Sequence, residues 1–224
     1  MLIPLKQEAI DDLIPAVATG NQYAYYWANF ATLLKNLFIS LVGILAFWLL
    51  GKLFGKAGDG ISLIFRVVAG LYWLWSPVYW ASIRNAKFRR YNNIGFWRGR
   101  VLDVYLSEEV INEESAIDRL GRAIIVENRR RLFNIEIGDK SGFRATVTTP
   151  LKKTHKAVNR GQAVEGLLLS NDPDFMRIGQ ITDVYIPRHK LWLGDYPYIR
   201  KDIFIQIRKE LARVYGGRTG RTRT

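Results

Sequence analysis

Two long apolar stretches near the start of the chain restrict its fold more than any other feature. The first covers residues 27–50 and is interrupted only by Lys35, and the second covers residues 61–83 and is interrupted only by Arg66. A helix needs about 20 mostly apolar residues to cross the hydrocarbon core of a bilayer. Each charge lies near the start of its stretch, where a long side chain can reach the interface. The pattern predicts a transmembrane helical hairpin over residues 27–83.

Small and aromatic residues in these stretches agree with a hairpin. Gly43 and Gly70 would let the two helices approach closely. Pro77 is expected to kink the second helix near its end. An interfacial aromatic belt is indicated by Tyr23, Tyr25, Tyr26, Trp27, Tyr79 and Trp80.

Two other interpretations of the apolar stretches compete with the hairpin. They could be buried helices of a soluble protein, but the rest of the chain would then have to cover two helices that show little polar face. The first stretch could also be a cleaved signal peptide. It starts well inside the chain, however, and the residues before it are acidic rather than basic.

Lysine and arginine placement predicts the orientation of the hairpin. The short loop over residues 51–60 contains only two lysines, whereas a dense basic segment follows residue 83. By the positive-inside rule, the chain after the second stretch lies on the cytoplasmic side, or on the stromal or matrix side in an organelle of bacterial origin. The cations of this segment are Arg84, Lys87, Arg89, Arg90, Arg98 and Arg100.

Residues 1–26 form an amphipathic N-terminal segment. Apolar side chains recur at three- and four-residue spacing within it, which predicts a helix over residues 3–19 that ends at Gly20. This helix could lie on the membrane or pack on the soluble domain, and the sequence does not separate the two. The recurring residues are Ile10, Leu13, Ile14 and Val17.

After residue 95 the apolar residues tend to recur at every second position, which is typical of β-strands. Residues 132–137 and 143–148 alternate around the loop Gly138–Gly142, which predicts a hairpin. Further strands are predicted at 98–106, 123–127, 162–169 and 180–186, and an acidic excursion with a short helix at 108–120. The whole pattern predicts a small closed barrel of OB or SH3-like type, with a β-sandwich as the alternative.

The complete chain is therefore predicted to be an α+β membrane protein in which the hairpin is followed by a basic cytoplasmic β-barrel domain over residues 84–215. A terminal amphipathic helix is predicted at 203–215. Residues 216–224 contain three arginines and no apolar side chain, and are predicted to be a disordered basic tail.

Several function classes are disfavoured by composition. The chain has no cysteine and only two histidines, His155 and His189, so disulfides, thiol chemistry and thiolate metal sites are absent. The sequence contains neither GxxxxGK(S/T) nor a GxGxxG motif after a strand, the two glycine motifs that bind phosphate groups. The acidic pairs at 108–109 and 113–114 are typical of a solvated loop. The sequence predicts no catalytic, cofactor-binding or metal-binding residues, and hence no enzyme.

The basic balance of the chain predicts an anionic partner. The net charge is 33 − 20 = +13, of which residues 84–224 carry 28 − 16 = +12. Anionic lipid or the acidic face of a larger membrane complex fits such a domain. Nucleic acid fits less well, because few aromatic residues interleave with the cations. The candidate contact residues are Arg84, Lys87, Arg89, Arg90, Arg129, Arg130, Arg131, Lys152, Lys153, Lys156, Trp192, Tyr196 and Tyr198.

The segments GQITDVYIP at 179–187 and LWLGDYPY at 191–198 resemble those of a family of cyanobacterial and plastid membrane proteins that are often labelled transporter permeases. The resemblance implies a thylakoid or plasma membrane and a link to photosynthetic complexes. Transport would need oligomers or a larger partner, since two helices do not enclose a path.

These observations favour a non-enzymatic accessory or assembly factor whose basic domain docks on a larger membrane complex. Two alternatives stay open. One is a membrane-tethered nucleic-acid binder, and the other is an auxiliary subunit of a transporter.

Overall fold

The computed structural model describes residues 1–117 and 123–216 and has α+β architecture. The chain divides into two compact units. The sheet unit comprises Met1–Ala9 and Tyr91–Tyr196, and the helical unit comprises Ile10–Arg90 and the chain from Pro197 onward. Residues 118–120 of the predicted excursion and 217–224 of the predicted tail lie outside the described residues.

The helices are α1 (Glu8–Leu13), α2 (Gly20–Trp27), α3 (Phe30–Leu53), α4 (Gly55–Gly70), α5 (Tyr72–Arg89) and α6 (Lys201–Gly216). The strands are β1 (Leu2–Leu5), β2 (Asn93–Ile117), β3 (Ala123–Gly138), β4 (Arg144–Pro150), β5 (Ala163–Ser170), β6 (Gln180–Ile181), β7 (Val184–Ile186) and β8 (Leu191–Leu193). The predicted terminal helix is confirmed as α6, which belongs to the helical unit rather than to the sheet unit.

The predicted helix over residues 3–19 is wrong at both of its ends. Residues 2–5 form strand β1, which pairs with β2, and only Glu8–Leu13 is helical. Gly20 begins α2 instead of ending a helix, because Thr19 and Gln22 form a capping box before it. Thr19 and Gln22 are a local sequence signal for the start of a helix, but the apolar spacing before them indicated a helix that ends there.

Helix α3 is the long apolar helix that the first stretch predicts. Its N-cap is Asn29, whose side chain accepts hydrogen bonds from the N–H groups of Ala31 and Thr32. Its 24 residues span about 36 Å. The most apolar 18-residue segment of this helix has a mean hydropathy of 2.1, and only 6% of the segment is buried. By length and composition, α3 can cross a membrane.

The second apolar stretch is not one helix, and the predicted two-helix hairpin is wrong in this respect. It breaks at Leu71 into α4 and α5, and Gly58–Gly70 and Tyr72–Arg89 are bent by 67° and qualify as a span only together. Pro77 lies inside α5, not at the break. The predicted loop at 51–60 is also helical, with only Phe54 between α3 and α4.

The break is stabilised by a side chain from another helix. The hydroxyl of Ser40 on α3 accepts a hydrogen bond of 3.2 Å from the Trp73 N–H in the first turn of α5, which has no side-chain cap of its own. The Trp75 indole N–H donates to the Val68 carbonyl at the end of α4, at 3.0 Å. Two orphaned backbone groups are thereby satisfied.

Close packing of α3 on α4 confirms the expectation for Gly43 and Gly70. A Cβ atom at Gly43 would lie 2.8 Å from the Cβ of Ala69, and one at Gly70 would lie 3.1 Å from Cδ1 of Ile44. Glycine is needed at Gly43 because carbon atoms do not approach so closely. The two helices pack through small residues, as is common between helices in membranes.

The sheet is antiparallel and follows the order β4-β3-β2-β5-β7-β8, with β1 on β2 and β6 on β5. The predicted closed barrel is wrong. The end strands β4 and β8 approach each other, and the Thr149 hydroxyl donates to the Gly194 carbonyl at 3.1 Å. No backbone ladder joins these two strands among the described residues.

The predicted acidic excursion at 108–120 is wrong over the described part. Residues 108–117 continue β2, which pairs with β3 as far as Ile117↔Ala123. Beyond Ser107↔Leu132 neither β4 nor β5 flanks this pair, so the two strands form a projecting ribbon. Arginines on β3 face the glutamates on β2, which explains why acidic residues occur in a strand.

The core of the sheet unit follows the predicted alternation. The predicted hairpin is confirmed by β3, β4 and their loop, in which Gly142 has φ +95°. Phe133, Ile135 and Ile137, the alternate apolar residues of the segment 132–137, are at most 3% exposed. They pack with Trp97, which is fully buried.

Candidate functional site

Lys152, Lys153 and Lys156, here called the lysine segment, form the clearest exposed basic cluster of the sheet unit. They lie at the start of and within a short 3-10 helix, Lys153–Ala157, that follows β4. All three side chains are exposed, and none forms an ion pair with a described residue. Their charge is therefore available to a partner.

The lysine segment is held in place by a buried histidine. His155 is 2% exposed, its ring lies 4.9 Å from that of Phe133, and its Nδ1 accepts a hydrogen bond from the Lys152 N–H at 3.3 Å. Burial and the nearby Lys152 ammonium hold the pKa of His155 below its usual value, since both disfavour the imidazolium form.

The arginine triplet at 129–131 lies within β3 and is engaged in ion pairs across the ribbon. Arg129 pairs with Glu127 at 2.7 Å and with Glu108 at 3.4 Å. Arg130 pairs with Glu109 at 2.9 Å, and Arg131 lies 3.7 Å from Glu108. These carboxylates offset the arginine charges. The triplet is therefore a weaker candidate than the lysine segment for binding an anionic partner.

The basic residues at the end of α5 differ in their roles within the helical unit. Arg89 donates to the Ile14 carbonyl at 2.8 Å and pairs with Asp11 at 2.6 Å, which ties α1 to α5. The Arg84 guanidinium lies 5.8 Å from the ring centroids of both Tyr25 and Tyr26. Of the predicted cations here, Lys87 and Arg90 have exposed side chains.

The aromatic candidates at 192–198 are mostly packing residues. Trp192 lies on β8, half-buried, with its ring 5.0 Å from that of Tyr185. Tyr196 is 2% exposed and is not accessible to a partner. Tyr198 belongs to the helical unit, where its ring stacks on Phe88 at 3.8 Å. Of the three candidates, Trp192 is thus the one partly exposed aromatic residue of the sheet unit.

A basic groove that the sequence did not predict lies on the sheet unit. Its lining includes the side chains of Arg98, Arg100 and Lys140, and its volume is about 1140 Å³. Strand register brings these residues together, because Arg100 pairs with Gly138 just before Lys140. No spacing within the sequence indicates this juxtaposition. In the described ranges, no cluster of three or more histidine, aspartate or glutamate residues could hold a metal ion.

The helical unit exposes apolar side chains around α3 rather than along one face. Phe38, Leu41, Leu45 and Leu49 form one stripe along the helix and are 51–65% exposed. Other positions around the helix are 37–44% exposed, namely Ile39, Ile44 and Leu50. A water-soluble protein does not normally expose an apolar surface of this extent. Such a surface is typical of helices that lie in lipid or against another apolar partner.

The chain matches a family of unknown function, DUF8619, over residues 3–214. It belongs to this family. The matched range includes residues of both units. No curated protein and no solved structure matches the chain.

In this DUF8619 protein, acid should loosen the lysine segment. Because the pKa of folded His155 lies below its unfolded value, the unfolded chain binds more protons, and stability is lost as pH falls from about 7.5 through the unfolded pKa near 6.5. We expect the apparent melting temperature in detergent to fall by a few degrees between about pH 7.5 and 5.5, and His155→Asn to remove part of this fall.

The second histidine is the matched control for this experiment. His189 is exposed on the turn between β7 and β8. His189→Asn should leave the pH dependence of the melting temperature as it is in the wild type. An equal effect of both substitutions would contradict the role assigned to His155.

Proposed function

We propose that the protein is a non-enzymatic accessory or assembly factor that is anchored in a membrane and docks on a larger membrane complex through its basic sheet unit. The observation that carries the anchor is α3, whose 24 residues are mostly apolar and mostly exposed. Burial in lipid removes this surface from water at about 25 cal/mol per Å². The bent pair α4 and α5 would occupy the same apolar environment.

The lysine segment is the surface best suited to docking. It presents three exposed ammonium groups without a described acidic partner, whereas the ribbon arginines are already paired. An acidic face on a partner complex would meet this charge, accelerate the encounter and fix its orientation. Exposed ammonium groups are strongly hydrated, which suits a reversible contact.

The side and the type of membrane are part of the proposal. The basic segment from Arg84 to Arg100 supports a cytoplasmic or stromal position for the chain that follows the helices. The resemblance of residues 179–187 and 191–198 to cyanobacterial and plastid proteins supports a thylakoid or plasma membrane, with a photosynthetic complex as the partner.

The test is co-migration in a native gel of membranes solubilised in mild detergent. The wild-type chain should run with a larger complex, and Lys152→Gln/Lys153→Gln/Lys156→Gln should reduce the co-migrating fraction about tenfold, since three charge contacts of about 0.5 kcal/mol each are removed. The matched control removes three other exposed charges of the sheet unit, through Arg144→Gln/Arg177→Gln/Arg188→Gln. Migration of the wild type alone, or an equal loss in the control, would refute docking through the lysine segment.

A further inference from the structure

We propose that the basic groove of the sheet unit binds a ligand that carries a phosphate group. The groove has a volume of about 1140 Å³ and is lined by the cationic side chains Arg98, Arg100 and Lys140. This inference does not depend on the proposed docking function, because none of these residues belongs to the lysine segment.

Two of the three cations of the groove form no ion pair with a described residue. Arg100 and Lys140 are exposed, and neither has a side-chain hydrogen bond or ion pair with a residue in the described ranges. Arg98 is 57% exposed, and its Nε lies 3.6 Å from the buried carboxylate of Glu165, a long contact. At least two cations therefore face the groove with their donors available.

The carboxylate in the groove is already engaged. Asp139 accepts hydrogen bonds from the Trp97 indole N–H at 2.8 Å and from the Ser141 N–H at 2.9 Å. Burial alone would raise the pKa of Asp139, but the donors from Ser141 and Trp97 outweigh it and hold the pKa below the usual range. Asp139 is thus ionised and occupied, so it does not compete for the arginine donors.

The groove is built into the backbone. Strand alternation places Arg98 and Arg100 on the same face of β2. Between the two arginines, a Cβ atom at Gly99 would lie 2.5 Å from the Gly138 carbonyl oxygen and would overlap the Trp97 ring. Because no side chain fits at Gly99, the strands remain close together and the spacing of the two arginines is fixed.

The shape and chemistry select the ligand class. Arginine offers a planar fork that fits two phosphate oxygens, and lysine adds a mobile point charge. The volume is far larger than one phosphate ion, and Leu102 and Ala163 add apolar lining. A phosphoester with an uncharged body fits this combination. A lipid headgroup and a soluble phosphoester share this chemistry.

The experiment uses the full-length protein in neutral maltoside micelles, titrated calorimetrically with glycerol 3-phosphate and with glycerol. The wild type should bind the phosphoester and not glycerol. Arg100→Gln/Lys140→Gln should weaken binding at least about tenfold, since the charge-assisted hydrogen bonds of both cations to the phosphate are lost. Arg177→Gln/Arg188→Gln, which removes two exposed charges outside the groove, should change the affinity less than about twofold.

A conservative variant and a second medium complete the test. Arg100→Lys/Lys140→Arg keeps both charges and should retain binding, which separates loss of charge from loss of folding. In nanodiscs of phosphatidylcholine the wild type should again bind glycerol 3-phosphate. If added phosphatidylglycerol suppresses this binding, the lipid headgroup is the source of the phosphate, and if not, a soluble phosphoester is. Absence of binding in both media, or equal weakening by the control pair, would overturn the proposal.

Discussion

Gln22→Leu should destabilise the helical unit more than any other single substitution considered for it. Gln22 and Asn85 are fully buried and exchange two hydrogen bonds of 2.9 and 3.0 Å, and Gln22 also donates to the Pro197 carbonyl. The leucine would leave the amide of Asn85 and this carbonyl without their partners, at about 1–3 kcal/mol for each unsatisfied group. We expect the apparent melting temperature in mild detergent to fall by about 5–10 °C.

Two further variants decide whether unsatisfied polar groups cause this loss. Gln22→Leu/Asn85→Leu replaces both amides by apolar groups of similar size and should recover part of the stability, because the Asn85 amide is then no longer left buried without its partner. Asn21→Ala changes the exposed neighbour and should have little effect. If the double variant were less stable than Gln22→Leu, lost packing rather than lost hydrogen bonding would explain the result.

Gly43→Ala should separate α3 from α4. The new methyl group would lie 2.8 Å from the Cβ of Ala69, and relief of that overlap costs about 1–3 kcal/mol. The matched control is Gly60→Ala on α4, where the added Cβ meets nothing within 4 Å. It should be neutral or stabilising by up to about 1 kcal/mol through helix propensity. Limited proteolysis in detergent would compare the two, and equal cleavage rates would contradict the close contact.

Local signals in the sequence predicted the elements that depend on neighbouring residues. The β3–β4 hairpin followed from alternating side chains around two glycines. Helix α3 followed from a long apolar run that is interrupted only by Lys35. The terminal helix α6 followed from its apolar period. In each case the residues that determine the structure lie within one segment, so their pattern is visible without the fold.

Signals that join distant residues were missed. The glutamates at 108–109 are typical of a loop until Arg130 and Arg131 are known to lie opposite them on β3. The break at Leu71 depends on Ser40, which is on a different helix. The predicted closed barrel was wrong for the same reason. Closure depends on whether β4 and β8 form a hydrogen-bonded ladder, and composition and periodicity do not show this.

The candidate site was predicted in the same uneven way. The lysine segment was found because its members are adjacent in sequence, although the His155 anchor that fixes it was not. The arginine triplet was also found, but its ion pairs were not, so its charge was overestimated. The basic groove depends on the register of β2 and β3 and was missed entirely.

The first strand has a consequence for biogenesis. β1 is translated before the apolar helices. The segment of β2 with which it pairs begins at Ile94, after all of α2 to α5. The ribosome must therefore synthesise the whole apolar part of the chain before β1 can pair with β2. The sheet can therefore mature only after the helices α2 to α5 have been synthesised, and until then β1 is an unpaired strand that quality-control proteases can recognise.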